Sequence, residues 1–157
     1  MTISRVLFSS KDQTWGTPPE LFKALNEEFG PFMLDAATRE SNPLQTPYFY
    51  TEKDDGLSKT WMNPTYVNPP YGKGIYKWIG KAYYESKKGN LVVMLIPART
   101  DTKYFHDFIY KKQEYRFLKG RLRMVDYDTM IPHPHSAPFP SMIVIFRKPV
   151  LIEFLKI

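Results

Sequence analysis

The chain has 157 residues, a formal net charge of +6, a pI near 9.4 and no cysteine. That length suits one compact domain, and the missing cysteines exclude disulfides and thiolate metal sites, which fits a cytosolic protein. No apolar run approaches the ~20 residues needed to span a bilayer, and the start, Met1-Thr2-Ile3-Ser4-Arg5, lacks the apolar core of a signal peptide. The excess of basic charge points to a polyanionic partner. Aromatic residues make up 16% of the chain and several stand beside basic ones. That pairing suits base stacking along a phosphate track, and a plain aromatic core has the same composition.

Residues 1–14 read as a flexible arm, leaving 15–157 as the domain. Thr17-Pro18-Pro19-Glu20 predicts a helix start, with Thr17 at the cap, Pro in the first turn and Glu three residues on. Leu21, Phe22, Leu25 and Phe29 follow at helical spacing until Gly30-Pro31 stops the element. Phe32–Leu34 predicts a short strand ending on Asp35. From Ala36 to Lys59 the chain is polar, broken by Pro43, Pro47 and the turn Asp54-Asp55-Gly56, and no long element fits. Thr65–Val67 predicts a second strand and Asn68–Gly74 a loop. Ile75, Trp78, Ile79, Ala82 and Tyr83 then recur as the stripe of a helix packed on a sheet. Leu91–Ile96 is a continuous apolar run, the mark of a central strand covered on both faces. Tyr104, Phe105, Phe108 and Ile109 predict a further helix, and Tyr115–Leu118 and Arg121–Val125 two strands around Lys119-Gly120. Met130–Pro140, with four prolines, must be a loop; Met142–Phe146 predicts a last buried strand before the apolar tail Val150–Ile157. The alternation predicts an α/β fold with a mostly parallel sheet and one core. Ligands of such sheets bind beyond the carboxyl ends of the strands, where Asp35, Asn68 and Pro97 each fall.

Asn68-Pro69-Pro70-Tyr71 follows the second strand and carries the clearest chemistry. The Asn oxygen and the carbonyl of the first Pro both accept hydrogen bonds from a flat NH2 group. The prolines fix φ and stiffen the turn, and the aromatic ring offers a stacking face. Lys73, Lys77 and Lys81 follow at roughly helical spacing, either a solvated face or a track for phosphates. Arg99, after the central strand, is either a phosphate or carboxylate partner or a surface Arg at a helix entry. Lys119, Arg121 and Arg123 form a second candidate phosphate contact. His106, His133 and His135 lack a carboxylate partner and read as plain loop residues; no metal site is expected.

Five segments together carry a resemblance: Trp15-Gly16-Thr17-Pro18, Phe32-Met33-Leu34-Asp35-Ala36-Ala37, Asp55-Gly56-Leu57 with Trp61, Asn68-Pro69-Pro70-Tyr71, and Leu95-Ile96-Pro97-Ala98-Arg99-Thr100-Asp101-Thr102. In this order they resemble the phage-type DNA N6-adenine methyltransferases, over about residues 14–146. The tetrapeptide alone is shared by several amino-methylating families; the ordered set is more specific. The resemblance implies a single-domain, reduced Rossmann-like methyltransferase sheet with helices on both faces. It implies S-adenosylmethionine as cofactor, double-stranded DNA as partner, and the cytoplasm of a phage-infected or prophage-carrying bacterial cell as location. Asn68 and the Pro69 carbonyl would hold N6 of a flipped-out adenine, Pro70 would stiffen the turn, and Tyr71 would stack on the base. Asp35 would accept the ammonium of the cofactor, Thr17 would bind its carboxylate, and Asp54 or Asp55 its adenine or ribose. Many cofactor sheets of this kind carry a Gly-rich loop after the first strand, whereas Asp35-Ala36-Ala37-Thr38-Arg39-Glu40 has no Gly. Three other readings share these motifs: methylation of RNA adenine, methylation of a protein glutamine, and a non-catalytic DNA-binding module that lost the cofactor.

Overall fold

Side-chain alternation along the middle strands divides the apolar residues between two faces, and both faces must then be covered. The computed structural model describes residues 15–149. Its six strands are β1 (Leu34–Asp35), β2 (Tyr48–Phe49), β3 (Thr65–Val67), β4 (Val92–Pro97), β5 (Glu114–Phe117) and β6 (Ser141–Phe146). They form one sheet in the order β2-β1-β3-β4-β6-β5. The pairings from β2 to β4 are parallel, and β6 runs antiparallel to both β4 and β5. The sheet is thus mostly parallel, as predicted, with an antiparallel edge formed by β6 and β5.

Val92, Met94 and Ile96 join Val67, Met142, Val144 and Phe146 on one face. Helix α2 (Ile75–Lys87) covers it with Ile75, Ile79 and Ala82, the stripe that the spacing predicts, together with Phe105, Phe108 and Ile109. Val93 and Leu95 join Tyr66, Ile143 and Ile145 on the other face, under helix α1 (Pro19–Phe29) and the segment containing Met124, Ala137 and Phe139. All six residues of β4 are buried, as a strand covered on both sides requires. The crossover from β3 through α2 to β4 places the loop Asn68–Gly74 at the carboxyl end of the sheet.

Several local expectations change. The cap of α1 is Pro18, not Thr17, with Pro in its first turn. Thr17 instead exchanges a hydrogen bond with the Tyr66 hydroxyl at 2.7 Å, which anchors the approach to the helix on β3. The segment from Tyr104 to Ile109 widens into a short π-type turn, Phe105–Ile109, closed by the Tyr110 N–H on the Phe105 carbonyl. Arg121–Val125 is not a sheet strand. β6 pairs with β5 in its place, and residues 121–125 run extended over the α1 face. Their carbonyls at Leu122 and Met124 accept from Ala137 and His133 of the proline-rich loop, so their backbone is satisfied outside the sheet. Strand β2 was not expected; two partly exposed residues carry no periodic signal. The arm 1–14 and the tail Val150–Ile157 lie outside the described residues. Among those described, no helix is long and apolar enough to cross a membrane.

Candidate active site

A cleft of about 900 Å³ opens at the carboxyl ends of β1, β3 and β4. Its floor is Asn68-Pro69-Pro70-Tyr71, and its walls include Ala36 to Arg39, Thr51, Glu52, Asp55 to Leu57, Arg99, Lys103 and Tyr127. The sheet brings these segments together because successive parallel strands all end on the same side. The cleft falls within the size range of pockets for cofactors and other small ligands.

Asn68 is buried, and every polar atom of its side chain has a partner. Its Nδ2 donates to the Trp15 carbonyl at 2.7 Å and to the Tyr127 hydroxyl at 3.1 Å. A carbonyl only accepts, so the amide orientation is fixed: nitrogen toward Trp15, oxygen toward Tyr71. Oδ1 accepts from the Tyr71 hydroxyl at 2.8 Å, leaving one further lone pair for a ligand. Burial pushes the Tyr71 hydroxyl pKa well up, so at neutral pH it remains a donor. The Tyr71 ring meets Phe139 edge-on at 5.4 Å while also lining the cleft. Trp15 is brought in by its neighbour: Gly16 pairs with Val125 through N–H···O bonds of 2.7 and 3.1 Å. A Cβ on Gly16 would lie 2.8 Å from the Val125 carbonyl, so only glycine permits this approach.

Asp35 lies behind the wall, 2% exposed, with Oδ1 accepting from the Ala37 N–H at 3.3 Å. Burial raises its pKa to about 7, against the opposing pull of the Ala37 N–H and the Thr38 hydroxyl. Thr38, whose hydroxyl acts on Asp35, is buried and lines the cleft. Small side chains at Ala36 and Ala37 line the cleft where a Gly-rich loop was absent from the sequence. Gly56 packs tightly there, since a Cβ on it would stand 2.5 Å from the Ala36 carbonyl.

A family model of DNA N-6-adenine-methyltransferases (Dam) matches residues 4–153. The chain belongs to that family. It is 32% identical over 93 residues to the DNA N-6-adenine-methyltransferase of Escherichia phage T1, an alignment covering 58% of this chain and 38% of that protein. The "Putative methyltransferase YfdM" of Escherichia coli (strain K12) is 36% identical over 64 residues, covering 36% of this chain and 69% of that protein. The chain thus spans well under half the length of the phage T1 relative.

In this Dam-family chain the expected site residues divide. Asn68, Pro69, Pro70, Tyr71, Asp55, Lys73 and Arg99 line the cleft. Asp35 sits behind its wall. Asp54 does not line it; its Oδ2 accepts from the Thr51 N–H and hydroxyl at 2.7 and 3.0 Å, closing the turn Glu52–Asp54. Thr17 is buried on Tyr66, away from the lining. Lys77 is exposed on α2 and outside the cleft lining, whereas Lys81 pairs with the buried Glu85 at 2.8 Å and serves the fold. Lys119, Arg121 and Arg123 are exposed and outside the cleft lining. His106 bonds the Thr100 carbonyl and His133 packs on Trp15. No cluster of potential metal ligands occurs among the described residues. Trp15, Arg39, Lys103 and Tyr127 were missed. Tyr127 meets Asn68 across 59 positions, a contact that no local spacing encodes.

Proposed function

We propose that this chain transfers a methyl group from S-adenosylmethionine to N6 of an adenine flipped out of double-stranded DNA. The observation that carries this reading is the locked Asn68 carboxamide, which lines a cleft together with Pro69, Pro70 and Tyr71. Family membership supports the same reaction. Asn68 Oδ1 and the Pro69 carbonyl accept the two N6 hydrogens, which draws electron density onto the nitrogen and holds it in one orientation. The Tyr71 ring supplies an apolar face for the base. An adenine must leave the duplex to reach these groups, because pairing occupies N6. The rim cations Arg39, Lys73, Arg99 and Lys103 suit the flanking phosphates.

The residues on the other side of the cleft fit the cofactor. Thr38, the small Ala36 and Ala37 and the acidic Glu52 and Asp55 line one wall. Asp35 behind that wall would hold the ammonium, and Asp55 the ribose. When bound, S-adenosylmethionine supplies a methyl already activated by its sulfonium. The chain contributes positioning rather than acid–base chemistry. Protein given labelled S-adenosylmethionine is expected to mark adenine in duplex DNA, and Asn68→Ala to abolish the signal; label on RNA or protein but never on DNA would sink this reading.

A further inference from the structure

We infer that Tyr127 is a positioning residue which, with the Trp15 carbonyl, locks the Asn68 carboxamide so that its oxygen and not its NH2 group faces the cleft. Asn68 Nδ2 has two hydrogens to place, and the structure supplies two acceptors, the Trp15 carbonyl at 2.7 Å and the Tyr127 oxygen at 3.1 Å. The Tyr127 hydroxyl in turn points its own hydrogen at the Asn68 main-chain carbonyl, 3.5 Å away. One phenol thus bonds the side chain and stands against the backbone of the same residue. With both nitrogen hydrogens engaged, the carboxamide cannot rotate without leaving a buried donor unpaired and setting oxygen against the Trp15 carbonyl.

The loop around Tyr127 is built to hold it. Asp126 Oδ1 accepts from the N–H groups of Asp128 and Thr129 at 2.9 Å, and the Asp126 N–H returns to the Ile131 carbonyl at 2.9 Å. Val125, just before, is bridged to both Gly16 and Pro132. The same Val125–Gly16 pairing that delivers Trp15 therefore delivers Tyr127, so both partners of Nδ2 arrive together. Tyr127 also neighbours Asp35, which places it between the two sides of the cleft; Arg39 stands 5.5 Å over its ring.

The kinetic part of this inference rests on the methyl-transfer reading; the structural part does not. The test uses the full chain, labelled with 15N, as wild type and Tyr127→Phe, with Asn68→Ala to identify the Asn68 side-chain NH2 resonances. Tyr127→Phe should speed exchange of these hydrogens with water at least about tenfold, since a buried donor loses its acceptor. It should also lower kcat for adenine methylation roughly ten- to a hundredfold, with KM for DNA and cofactor moving less than about threefold and Tm falling by only a few degrees. Unchanged exchange or unchanged kcat overturns the inference. So does a loss carried by KM with kcat preserved, which would mark Tyr127 as merely structural. Should the wild type methylate no adenine, the function proposal fails while the exchange measurement still decides the lock.

Discussion

At the scale of single residues, Asp35 is where burial and charge conflict most. Its folded pKa of about 7 stands above the ordinary carboxylate value. Between about pH 4 and 7 the folded chain therefore holds a proton that the unfolded chain releases. Stability from this group is full below pH 4 and falls as pH rises to 7, by on the order of 4 kcal/mol. Asp35→Asn removes the titration. The Tm of the variant relative to wild type should rise from pH 5 to about pH 7 and then level off; a constant difference would show that Asp35 ionises freely. Asp35 and Asn68 were both legible in the sequence, because each directly follows an apolar or β-prone run and so lands at a strand end. Thr17 and Asp54 fall outside the cleft lining for a common reason. Both are polar residues at turns, and the sequence does not say whether a turn hydroxyl or carboxylate bonds a ligand or its own neighbours. In the fold, Thr17 bonds Tyr66 and Asp54 bonds Thr51.

At the scale of elements, α2 shows how one helical face divides its charges. Lys81 Nζ lies 2.8 Å from Glu85, whose side chain is 1% exposed, and 5.6 Å over the Trp61 ring. Burial would raise the Glu85 pKa, but Lys81 and Lys88 together hold it below the ordinary value. Lys81→Ala should lower stability by about 1–2 kcal/mol, since Lys88 and Asn90 still partner the carboxylate. Lys73, at the cleft rim before the helix, should behave differently. Lys73→Ala should leave Tm unchanged and reduce the salt slope of DNA binding by about one. Thermal melts and salt titrations of the two variants distinguish these roles; a DNA defect in Lys81→Ala equal to that of Lys73→Ala would contradict them. The heptad-like stripe of α2 and the six-residue run of β4 were readable because buried periodicity is strong over such lengths. Arg121–Val125 has the alternation of a strand and yet pairs with loops, since alternation reports a covered face and not a ladder partner.

At the scale of the whole molecule, a net charge of +6 and the cleft cations Arg39, Lys73, Arg99 and Lys103 predict DNA affinity that falls steeply with salt. Each phosphate contact contributes about −0.9 to the slope of log K against log salt. A flat response in fluorescence-anisotropy titrations would count against this rim as the DNA track. The sequence by itself determined the strand and helix stripes, the two-sided burial of β4 and the Asn68–Tyr71 turn, because these depend on residues within a few positions of one another. Only the tertiary structure decided which side chains complete the site. Trp15, Tyr127 and Asn68 lie far apart in the chain, and the close Gly16–Val125 pairing brings them together. A hydrogen-bond partner at such separation is chosen by packing, and packing leaves no periodic trace along the chain.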